Sequence, residues 1–509
     1  MPDRSASCCN LTLRELFARA GITPAGRALV PDVNITRLTD DSRTVRPGDC
    51  FVAIRGTGCD GHDFVEAASA ARATAAVVER EIPVAGDTAR VLVGDTREAL
   101  ARLASAYYGL RGESEHGLHL IGVTGTNGKT TVGWLLRSIL QAAGQPTALI
   151  GTVEYDLVDE RLPAPLTTPG PLALCRHLAA ARDAGATYGI VEISSHALDQ
   201  RRCDGLPLRV GVFTNLSGDH LDYHETMESY AAAKRRLFEL LDADAVAVVN
   251  RDDPVGESLA ESLDVPVTSY GLDSPGADVS ARVRTMTVSG TDIVLRGRSF
   301  ETAVHLSLLG RHNVLNALAA AATAEAVGMN PDAIVRGMER VVGVPGRLQR
   351  AERQGGPFSV LVDYAHTDAA LSSVLPVLRA LTRARLICVF GCGGDRDRSK
   401  RPRMAAAVGR LADVAYVTSD NPRTEDPQRI IDDILPGFGS APACRVEVQV
   451  DRRCAIQAAI GEARSGDIVV IAGKGHETYQ RVGDSVLPFD DMVVARECLN
   501  ALAVAEEVA

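Results

Sequence analysis

Short runs of apolar residues alternate with segments of helical apolar spacing along most of the chain. Three runs in the first 112 residues predict β-strands at positions 50–54, 75–78 and 90–94. A further run at 119–124 is followed by apolar residues with the spacing of a buried helix face, at Val132, Leu135, Leu136, Ile139 and Leu140. The pattern therefore predicts an α/β protein.

The C-terminal third of the chain has the most regular pattern. Four apolar runs are each followed directly by a polar loop, at residues 358–362, 386–390, 414–419 and 468–472. Helical stretches separate these runs, which predicts βαβ units and a parallel sheet. Ligands of parallel sheets bind beyond the carboxyl ends of the strands, so the four loops predict one composite site.

The composition narrows the class of protein. The net charge of −11 provides no basic face for nucleic acid. The eleven cysteines are odd in number and none has CxxC spacing, which favours reduced thiols over disulfides or a zinc site. No apolar run approaches the ~20 residues of a membrane helix, and the N-terminus lacks a signal-peptide core. We expect a cytoplasmic monomer that does not insert into membranes.

Two segments predict domain boundaries in this chain of 509 residues, a length typical of about three domains. Residues 111–116 are polar and predict a linker. Residues 343–348 contain two glycines and a proline, which predicts a hinge. The predicted domains are residues 1–112, 113–343 and 344–509.

The glycine-rich segment 122–131 predicts a phosphate-binding loop between a strand and a helix. Glycines allow a tight turn with inward-pointing N–H groups, and the helix N-terminus adds positive charge. Lys129 can reach the outer phosphates of a nucleoside triphosphate, and the Thr130 hydroxyl can bind Mg²⁺. The segment departs from the strict P-loop pattern, because Val123 stands where that pattern has a glycine.

Three further residues could belong to this site. Glu192 is a carboxylate inside an apolar strand, where it needs a metal ion or an ion-pair partner. A lone histidine such as His220 is more often structural than a ligand. Lys234 is flanked by alanines on one side in a helical segment, and most such lysines are solvated surface residues.

Two polar loops of the N-terminal part, residues 38–49 and 56–62, are of the kind that hold ligands. Taken alone, each is more often only a turn. Their pattern leaves both interpretations open.

Together these segments resemble the Mur ligase family, nearly end to end and in family order. The resemblance rests on the phosphate loop and on residues 191–196, 215–224, 310–316, 363–366, 391–397, 420–423 and 473–477. It implies a three-domain α/β architecture with a central P-loop ATPase domain and a Rossmann-like C-terminal domain. The Asp-Asn-Pro-Arg segment at 420–423 resembles the members that add meso-2,6-diaminopimelate rather than lysine.

The resemblance also implies the reaction and its cofactors, ATP and Mg²⁺. ATP phosphorylates the free D-glutamyl carboxylate of UDP-MurNAc-L-Ala-D-Glu, and an amino group of diaminopimelate attacks the acyl phosphate, in the synthesis of peptidoglycan precursors. By family similarity, Thr130 and Glu192 hold one Mg²⁺ and His220 helps to hold a second. Lys234 matches a lysine that is carbamylated by CO₂ and then acts as an anionic metal ligand.

The remaining site residues carried over by the resemblance fall into three groups. The ATP site takes Gly125, Thr126, Asn127, Gly128, Lys129, Thr130, Thr131, His312, Asn313, Asn316, Arg347 and Asp363. The UDP-MurNAc-dipeptide site takes Ser42, Gly61, His62, Thr167, Thr168, Ser194, Gln200 and Arg202. The diaminopimelate site takes Arg396, Asp420, Asn421, Pro422, Arg423, Gly473 and Glu477.

Three alternatives remain. The chain could be a lysine-adding ligase of the same family or a ligase similar to folylpolyglutamate synthase. The segment at 420–423 and the N-terminal domain argue against both. A P-loop kinase or nucleotide switch is a different class, and it leaves Lys234 and the C-terminal loops unexplained. ATP turnover that requires both a carboxylate and an amine would separate a ligase from a switch.

Overall fold

The structure is a computed structural model that describes residues 11–27, 29–56, 58–111, 117–351, 356–439 and 443–508. Most of the predicted linker at 111–116 and the polar N-terminus at 1–10 lie outside these ranges. The chain divides into two compact units. One comprises Met1–Ser280 and Leu318–Gly337, and the other comprises Ala281–Ala317 and Met338–Ala509. The domain boundaries after residues 112 and 343 stay predictions.

The N-terminal part forms two small sheets. Strands β1 (Leu11–Thr12) and β2 (Asn34–Ile35) pair antiparallel. A parallel sheet has the order β3 (Arg37–Thr39), β4 (Asp49–Val52), β5 (Ala75–Val78) and β6 (Ala89–Leu92). The helices are α1 (Leu13–Ala20), α2 (Val65–Ala70) and α3 (Thr96–Tyr107). The three strands predicted here from apolar runs are confirmed.

The next sheet positions the phosphate loop. Eight consecutive strands of this sheet lie in the first unit, in the order β10-β9-β8-β11-β7-β12-β13-β14. Strand β7 pairs in parallel with both β11 and β12, so the carboxyl ends of these three strands lie side by side. The strands are β7 (His119–Thr124), β8 (Thr147–Ile150), β9 (Glu154–Asp156), β10 (Arg161–Pro163), β11 (Tyr188–Glu192), β12 (Leu208–Phe213), β13 (Leu241–Asn250) and β14 (Val267–Gly271).

Helices connect these strands and lead into the following segment. The predicted helix after the phosphate loop is confirmed as α4, and the helix that carries Lys234 is α8. The helices are α4 (Lys129–Ala142), α5 (Pro171–Asp183), α6 (Ser195–Asp199), α7 (Leu221–His224), α8 (Met227–Glu239) and α9 (Pro254–Ser262). Next come β15 (Val279–Thr287), β16 (Gly290–Arg296), β17 (Glu301–Leu306), α10 (Arg311–Ala326) and α11 (Pro331–Glu339).

The C-terminal sheet has the order β18-β19-β23-β20-β21-β22, and all its strands except β18 run parallel. The four predicted strands are therefore confirmed, and their carboxyl ends are neighbours. The strands are β18 (Gln349–Arg350), β19 (Ser359–Asp363), β20 (Leu386–Phe390), β21 (Val414–Val417), β22 (Arg445–Val448) and β23 (Ile468–Ala472).

Five helices and a hairpin complete this sheet. Apolar side chains are buried on both of its faces, as the continuous apolar runs of the parallel strands require. The helices are α12 (Asp368–Leu381), α13 (Lys400–Gly409), α14 (Pro427–Ile434), α15 (Arg452–Gly461) and α16 (Asp491–Val508). The hairpin consists of β24 (Tyr479–Val482) and β25 (Ser485–Pro488).

Two negative findings apply to the described residues. None of the helices in these ranges combines the length and the apolar character that a membrane crossing requires. The nine cysteines in the same ranges are all free thiols.

A buried ion pair links α15 to α16. The Arg452 guanidinium donates to the Asp491 carboxylate at 2.8 and 2.6 Å, and both side chains are fully buried.

Asp491→Ala is expected to destabilise the protein by about 3–5 kcal/mol, because it leaves an uncompensated buried cation. Urea-induced unfolding measures this loss. The matched control is Glu497→Ala, which breaks an exposed ion pair with Arg453 between the same helices and should cost less than about 1 kcal/mol. Equal losses in the two variants would contradict the prediction.

Candidate functional site

The phosphate loop turns at Gly125, two residues after the position where the strict pattern has a glycine. Val123 is fully buried inside β7, so the strand continues through that position. Gly125 has a φ of +146°, and a Cβ there would lie 1.8 Å from the Thr214 hydroxyl oxygen. Only glycine therefore fits the point at which the loop passes the end of β12.

Lys129 begins helix α4 and folds back over the loop. Its Nζ donates to the carbonyl oxygens of Gly125 and Thr126, at 2.8 and 2.9 Å. Gly128 precedes the helix with a φ of +92°. The arrangement places a lysine cation beside the N-terminus of a fourteen-residue helix, which is a favourable environment for an anion.

Glu192 at the end of β11 lies directly beside this helix N-terminus. Its Oε2 accepts hydrogen bonds from the hydroxyls of Thr130 and Thr152, both at 2.9 Å. Its Oε1 accepts from the Thr152 backbone N–H at 3.1 Å. Glu192 is fully buried and has no ion-pair partner among the described residues, so the interpretation as a structural ion pair is not supported. The carboxylate and hydroxyl oxygens are ligands that suit a hard cation such as Mg²⁺.

Lys234 is only 1% exposed, so interpreting it as a solvated surface lysine is wrong. Burial lowers its pKa well below the ordinary value, and the neighbouring Lys129 cation lowers it further. Its Nζ lies 4.3 Å from the centre of the Tyr230 ring, one helical turn earlier on α8. A lowered pKa favours the neutral amine, which is the form that reacts with CO₂.

Tyr230 brings Lys234, His220 and the phosphate loop together around one ring. The Tyr230 hydroxyl lies 3.2 Å from the Thr126 hydroxyl oxygen. The half-exposed His220 ring lies 6.2 Å from the Tyr230 ring and 5.0 Å from the His196 ring, centre to centre. In the described ranges, no group of three or more His, Cys, Asp or Glu side chains is arranged to hold a metal ion. A metal here would therefore need other ligands as well.

The residues expected to hold the peptide substrate form a connected network behind Glu192. The Thr168 hydroxyl donates to the Glu192 carbonyl oxygen at 2.8 Å and accepts from the Ser194 N–H at 3.0 Å. Arg202 donates to the Thr168 carbonyl oxygen at 2.8 Å and to the Gln200 side-chain oxygen at 2.7 Å. The Thr167 and Thr152 hydroxyls lie 3.1 Å apart. The structure thus brings all five predicted residues to the end of β11.

The residues expected near uridine lie in two short 3₁₀ turns that follow β3 and β4. Ser42 begins the first turn, which the Asp41 side chain caps. His62 lies in the second turn and is buried, with Nδ1 2.6 Å from the Asp60 carboxylate and Nε2 accepting from the Glu79 N–H at 2.9 Å. Both ring nitrogens of His62 are therefore used within the protein. Its contact with uridine stays a prediction.

The second unit holds the other residues expected near ATP. The Asp363 carboxylate, at the end of β19, accepts from the backbone N–H groups of Leu348 and Ala365 at 2.7 and 2.9 Å. Burial raises its pKa, and the Arg347 cation opposes that shift. On α10, the Asn316 amide donates to the Asn313 side-chain oxygen at 3.0 Å, and His312 is exposed beside them. These residues carry polar groups of the kind that bind a nucleotide. Their contact with ATP stays a prediction.

The loops after β21 and β23 meet in the way that the composite site requires. Gly473 has a φ of +120°, and a Cβ there would lie 2.5 Å from the Asp420 carboxylate. The Asn421 side-chain amide donates to Glu477 Oε2 at 2.8 Å. The Lys474 ammonium lies 3.1 Å from the same oxygen and 3.3 Å from the Asn421 side-chain oxygen.

Arg423 follows Pro422 with a φ of +52° and is held by the loop after β20. Its Nη1 donates to the Gly394 carbonyl oxygen at 2.8 Å. Its backbone N–H donates to the Arg481 carbonyl oxygen of the hairpin at 3.0 Å. Within the described ranges, neither Arg423 nor the exposed Arg396 forms an ion pair with a carboxylate. Both guanidinium groups keep donors that could meet an anionic ligand.

Sequence reasoning missed two residues of the site. Thr152 supplies two of the three hydrogen bonds to the Glu192 carboxylate, and its only signal was a polar residue just after an apolar run. Lys474 is fully buried between Asn421 and Glu477. Its signal was a lysine between two glycines in a loop that the resemblance already covered.

Comparisons with known proteins match most of the length of this architecture. Residues 34–108 match a family model described as "Mur ligase family, catalytic domain". Residues 123–324 match "Mur ligase middle domain", and residues 346–475 match "Mur ligase, glutamate ligase domain". The three matches follow one another along the chain in that order.

Individual relatives agree with the family models. The UDP-N-acetylmuramoyl-L-alanyl-D-glutamate--2,6-diaminopimelate ligase of Geobacter metallireducens is 44% identical over 504 residues, which cover 94% of this chain and 97% of that protein. The protein of the same name from Geobacillus kaustophilus is 45% identical over 473 residues, with 92% and 95% covered.

A solved structure of a ligase with this name is 34% identical, with a TM-score of 0.70, and covers 97% of this chain and 100% of that one. The parallel sheets, the phosphate loop and these matches lead to one conclusion about the family. The chain belongs to the Mur ligase family.

Proposed function

We propose that this protein is an ATP-dependent ligase that adds meso-2,6-diaminopimelate to UDP-MurNAc-L-Ala-D-Glu in peptidoglycan precursor synthesis. The proposal is carried by the paired features at the strand ends, Lys129 with Glu192 in one unit and Asn421 with Glu477 in the other. They occur in a chain 44% identical to relatives that are named for this reaction. We also propose that it acts in the cytoplasm, where ATP is available.

The first step transfers the γ-phosphate of ATP to the D-glutamyl carboxylate. A carboxylate oxygen attacks phosphorus, the bond to the bridging oxygen breaks, and ADP leaves. Two anions must approach each other, so cations have to lie between them. Lys129 supplies one cation by exchanging its hydrogen bonds to the loop carbonyls for phosphate oxygens. The network of Thr168, Gln200 and Arg202 positions the peptide at the end of β11.

The residues present fit Mg²⁺. Glu192 and Thr130 offer adjacent oxygen donors, and we propose that they hold one ion, with His220 and a carbamylated Lys234 contributing to a second. Bound Mg²⁺ would neutralise charge on the phosphate oxygens. Acidic and histidine side chains of the described residues form no complete cluster, so phosphate oxygens and water would supply the other ligands.

The second step forms the amide bond. A neutral amino group of diaminopimelate attacks the carbonyl carbon of the acyl phosphate, the tetrahedral intermediate expels phosphate, and the nitrogen loses a proton. At the far end of the amino acid, Arg423 pairs with the carboxylate and Glu477 pairs with the ammonium. We expect Arg396 to hold the carboxylate next to the reacting amine.

An amino-acid screen tests the proposal. The protein is incubated with UDP-MurNAc-L-Ala-D-Glu and ATP, and ADP release is followed for each amino acid added. We expect turnover that requires both the peptide carboxylate and diaminopimelate. Turnover with lysine but not with diaminopimelate would support the lysine-adding alternative. Turnover without any amine would indicate a kinase or a switch.

Lys234→Ala is expected to lose most of the ligase activity, because the carbamate oxygens disappear with the amine. Bicarbonate should not restore the activity, whereas a short-chain carboxylate should restore part of it by replacing those oxygens. The measurement is the rate of ADP release with each additive.

The matched control is Arg235→Ala, which removes the adjacent cation on α8. Arg235 donates to Ser258 on another helix, so its loss should leave the rate nearly unchanged. NMR of the unmodified enzyme with ¹³C-bicarbonate should show a carbamate signal that Lys234→Ala lacks. A fully active enzyme without this signal would contradict the carbamate.

A further inference from the structure

Lysine is rare in this chain. Of the 54 lysine and arginine residues only four are lysines, at positions 129, 234, 400 and 474. Lys129 and Lys234 already have proposed roles. Lys474 is the second fully buried lysine, and neither of the proposed reaction steps uses it.

The Lys474 ammonium lies at the meeting point of two predicted substrate loops. It donates to Glu477 Oε2 at 3.1 Å and to the Asn421 side-chain oxygen at 3.3 Å. The Tyr479 ring lies 5.5 Å from it and covers one side. A buried cation is stable only when charged or polar partners surround it. The Lys474 ammonium therefore depends on its contacts with Glu477 and Asn421, and it restrains both side chains.

These contacts determine the orientation of Asn421. Its side-chain oxygen accepts from the Lys474 ammonium and from the Arg481 N–H at 2.9 Å. Its amide nitrogen therefore faces Glu477, to which it donates at 2.8 Å. Without Lys474, one of the two donors to the Asn421 oxygen is lost and the amide can rotate.

The same contacts leave one oxygen of Glu477 available to a ligand. Both Asn421 and Lys474 donate to Oε2, and no hydrogen bond from the described residues reaches Oε1. The carboxylate is thereby held in one rotamer with Oε1 directed away from its partners. A preorganised acceptor of this kind binds an ammonium more tightly than a mobile one.

We propose that Lys474 is a positioning residue for the amino-acid substrate, which acts by holding Glu477 and Asn421 in their binding orientation. This inference rests on the proposed function, because it takes an amino acid as the ligand of Glu477. Lys474 itself does not touch the reacting atoms. Its removal should therefore weaken binding of the amino acid and leave the ATP half of the reaction intact.

The test is Lys474→Met, which keeps the length of the side chain and removes the charge. KM for diaminopimelate is expected to rise about 30-fold or more, the usual effect of removing one partner of a buried charge pair. The KM for ATP and kcat at saturating diaminopimelate should change little. The matched control is Arg453→Met in the same unit, which removes an exposed cation and should leave all three constants unchanged.

A double variant separates positioning from general destabilisation. Lys474→Met combined with Glu477→Gln removes both charges of the pair, so we expect this protein to fold even where the single variant does not. If Lys474 acts through Glu477 and Asn421, Lys474→Met should raise the KM for diaminopimelate much less in the Glu477→Gln background than in the unmodified protein. Effects that multiply, or a normal KM in folded Lys474→Met, would overturn the inference.

The design also distinguishes this inference from the proposed function. Absence of amino-acid-dependent ADP release in the unmodified protein would overturn both. The positioning role alone would be overturned by a different pair of results. The unmodified protein would turn over diaminopimelate, and Lys474→Met would lower kcat and raise the KM for ATP as much as the KM for diaminopimelate. If the unmodified protein adds lysine instead, the same comparison of KM values is made with lysine.

Discussion

Lys129→Ala is expected to abolish ligation while the protein remains folded. The Lys129 ammonium contacts two carbonyl oxygens of the phosphate loop, so its loss should leave the γ-phosphate without its main cationic partner in the approach of two anions. The expected fall in kcat is about 10³-fold or more, as for other charge-stabilising groups in phosphoryl transfer. The rate of ADP release at saturating ATP measures it.

Folding of this variant is checked by circular dichroism, and Arg453→Ala serves as the control for the loss of a cation. Arg453 pairs with Glu497 at the surface of the other unit, so its removal should not affect the rate. A folded Lys129→Ala protein that keeps near-normal turnover would show that the loop after β7 does not hold the reacting phosphate.

The unmodified protein is expected to prefer meso-diaminopimelate to lysine by roughly 10⁴-fold in kcat/KM, as for sites that reject an analogue lacking a required polar group. Lysine lacks the distal carboxylate, so it would leave Arg423 without its anion in a partly desolvated site. Arg423 uses one nitrogen to hold the loop and keeps other donors for a carboxylate. Two parallel hydrogen bonds from a guanidinium are the geometry that selects such a group.

Arg423→Ala should therefore raise the KM for diaminopimelate steeply and change the KM for ATP much less. The constants are measured by varying one substrate while the other is saturating. A rise in both KM values would indicate that Arg423 only braces the loop through Gly394. Efficient lysine addition by the unmodified protein would refute the assignment of this pocket.

Local patterns predicted the framework well. Strand, glycine loop and helix are each encoded within a few residues, and the four apolar runs of the C-terminal part became four neighbouring parallel strands. The expected position of the candidate site at their carboxyl ends follows from the βαβ connection alone. The resemblance then supplied expected residue roles that spacing could not.

The contacts inside the site could not be predicted from such patterns. Glu192 binds Thr130 and Thr152, which are 62 and 40 residues away, and these pairs depend on the strand order β8-β11-β7. Runs of apolar residues predict strands but not their order. The burial of Lys234 likewise depends on the packing of α8 beside the phosphate loop, and its alanine neighbours carry no sign of it.

The hydrogen bonds of Glu192 show that the need for its shape can be distinguished from the need for its negative charge. Thr152 N–H can only donate, but the two threonine hydroxyls can either donate or accept. A glutamine at position 192 could keep its oxygen on the Thr152 N–H and turn its NH₂ towards the hydroxyls, so every polar group would remain paired. The hydrogen bonds within the folded chain thus require a side chain of this size with polar ends, whereas the negative charge of Glu192 would serve a bound cation.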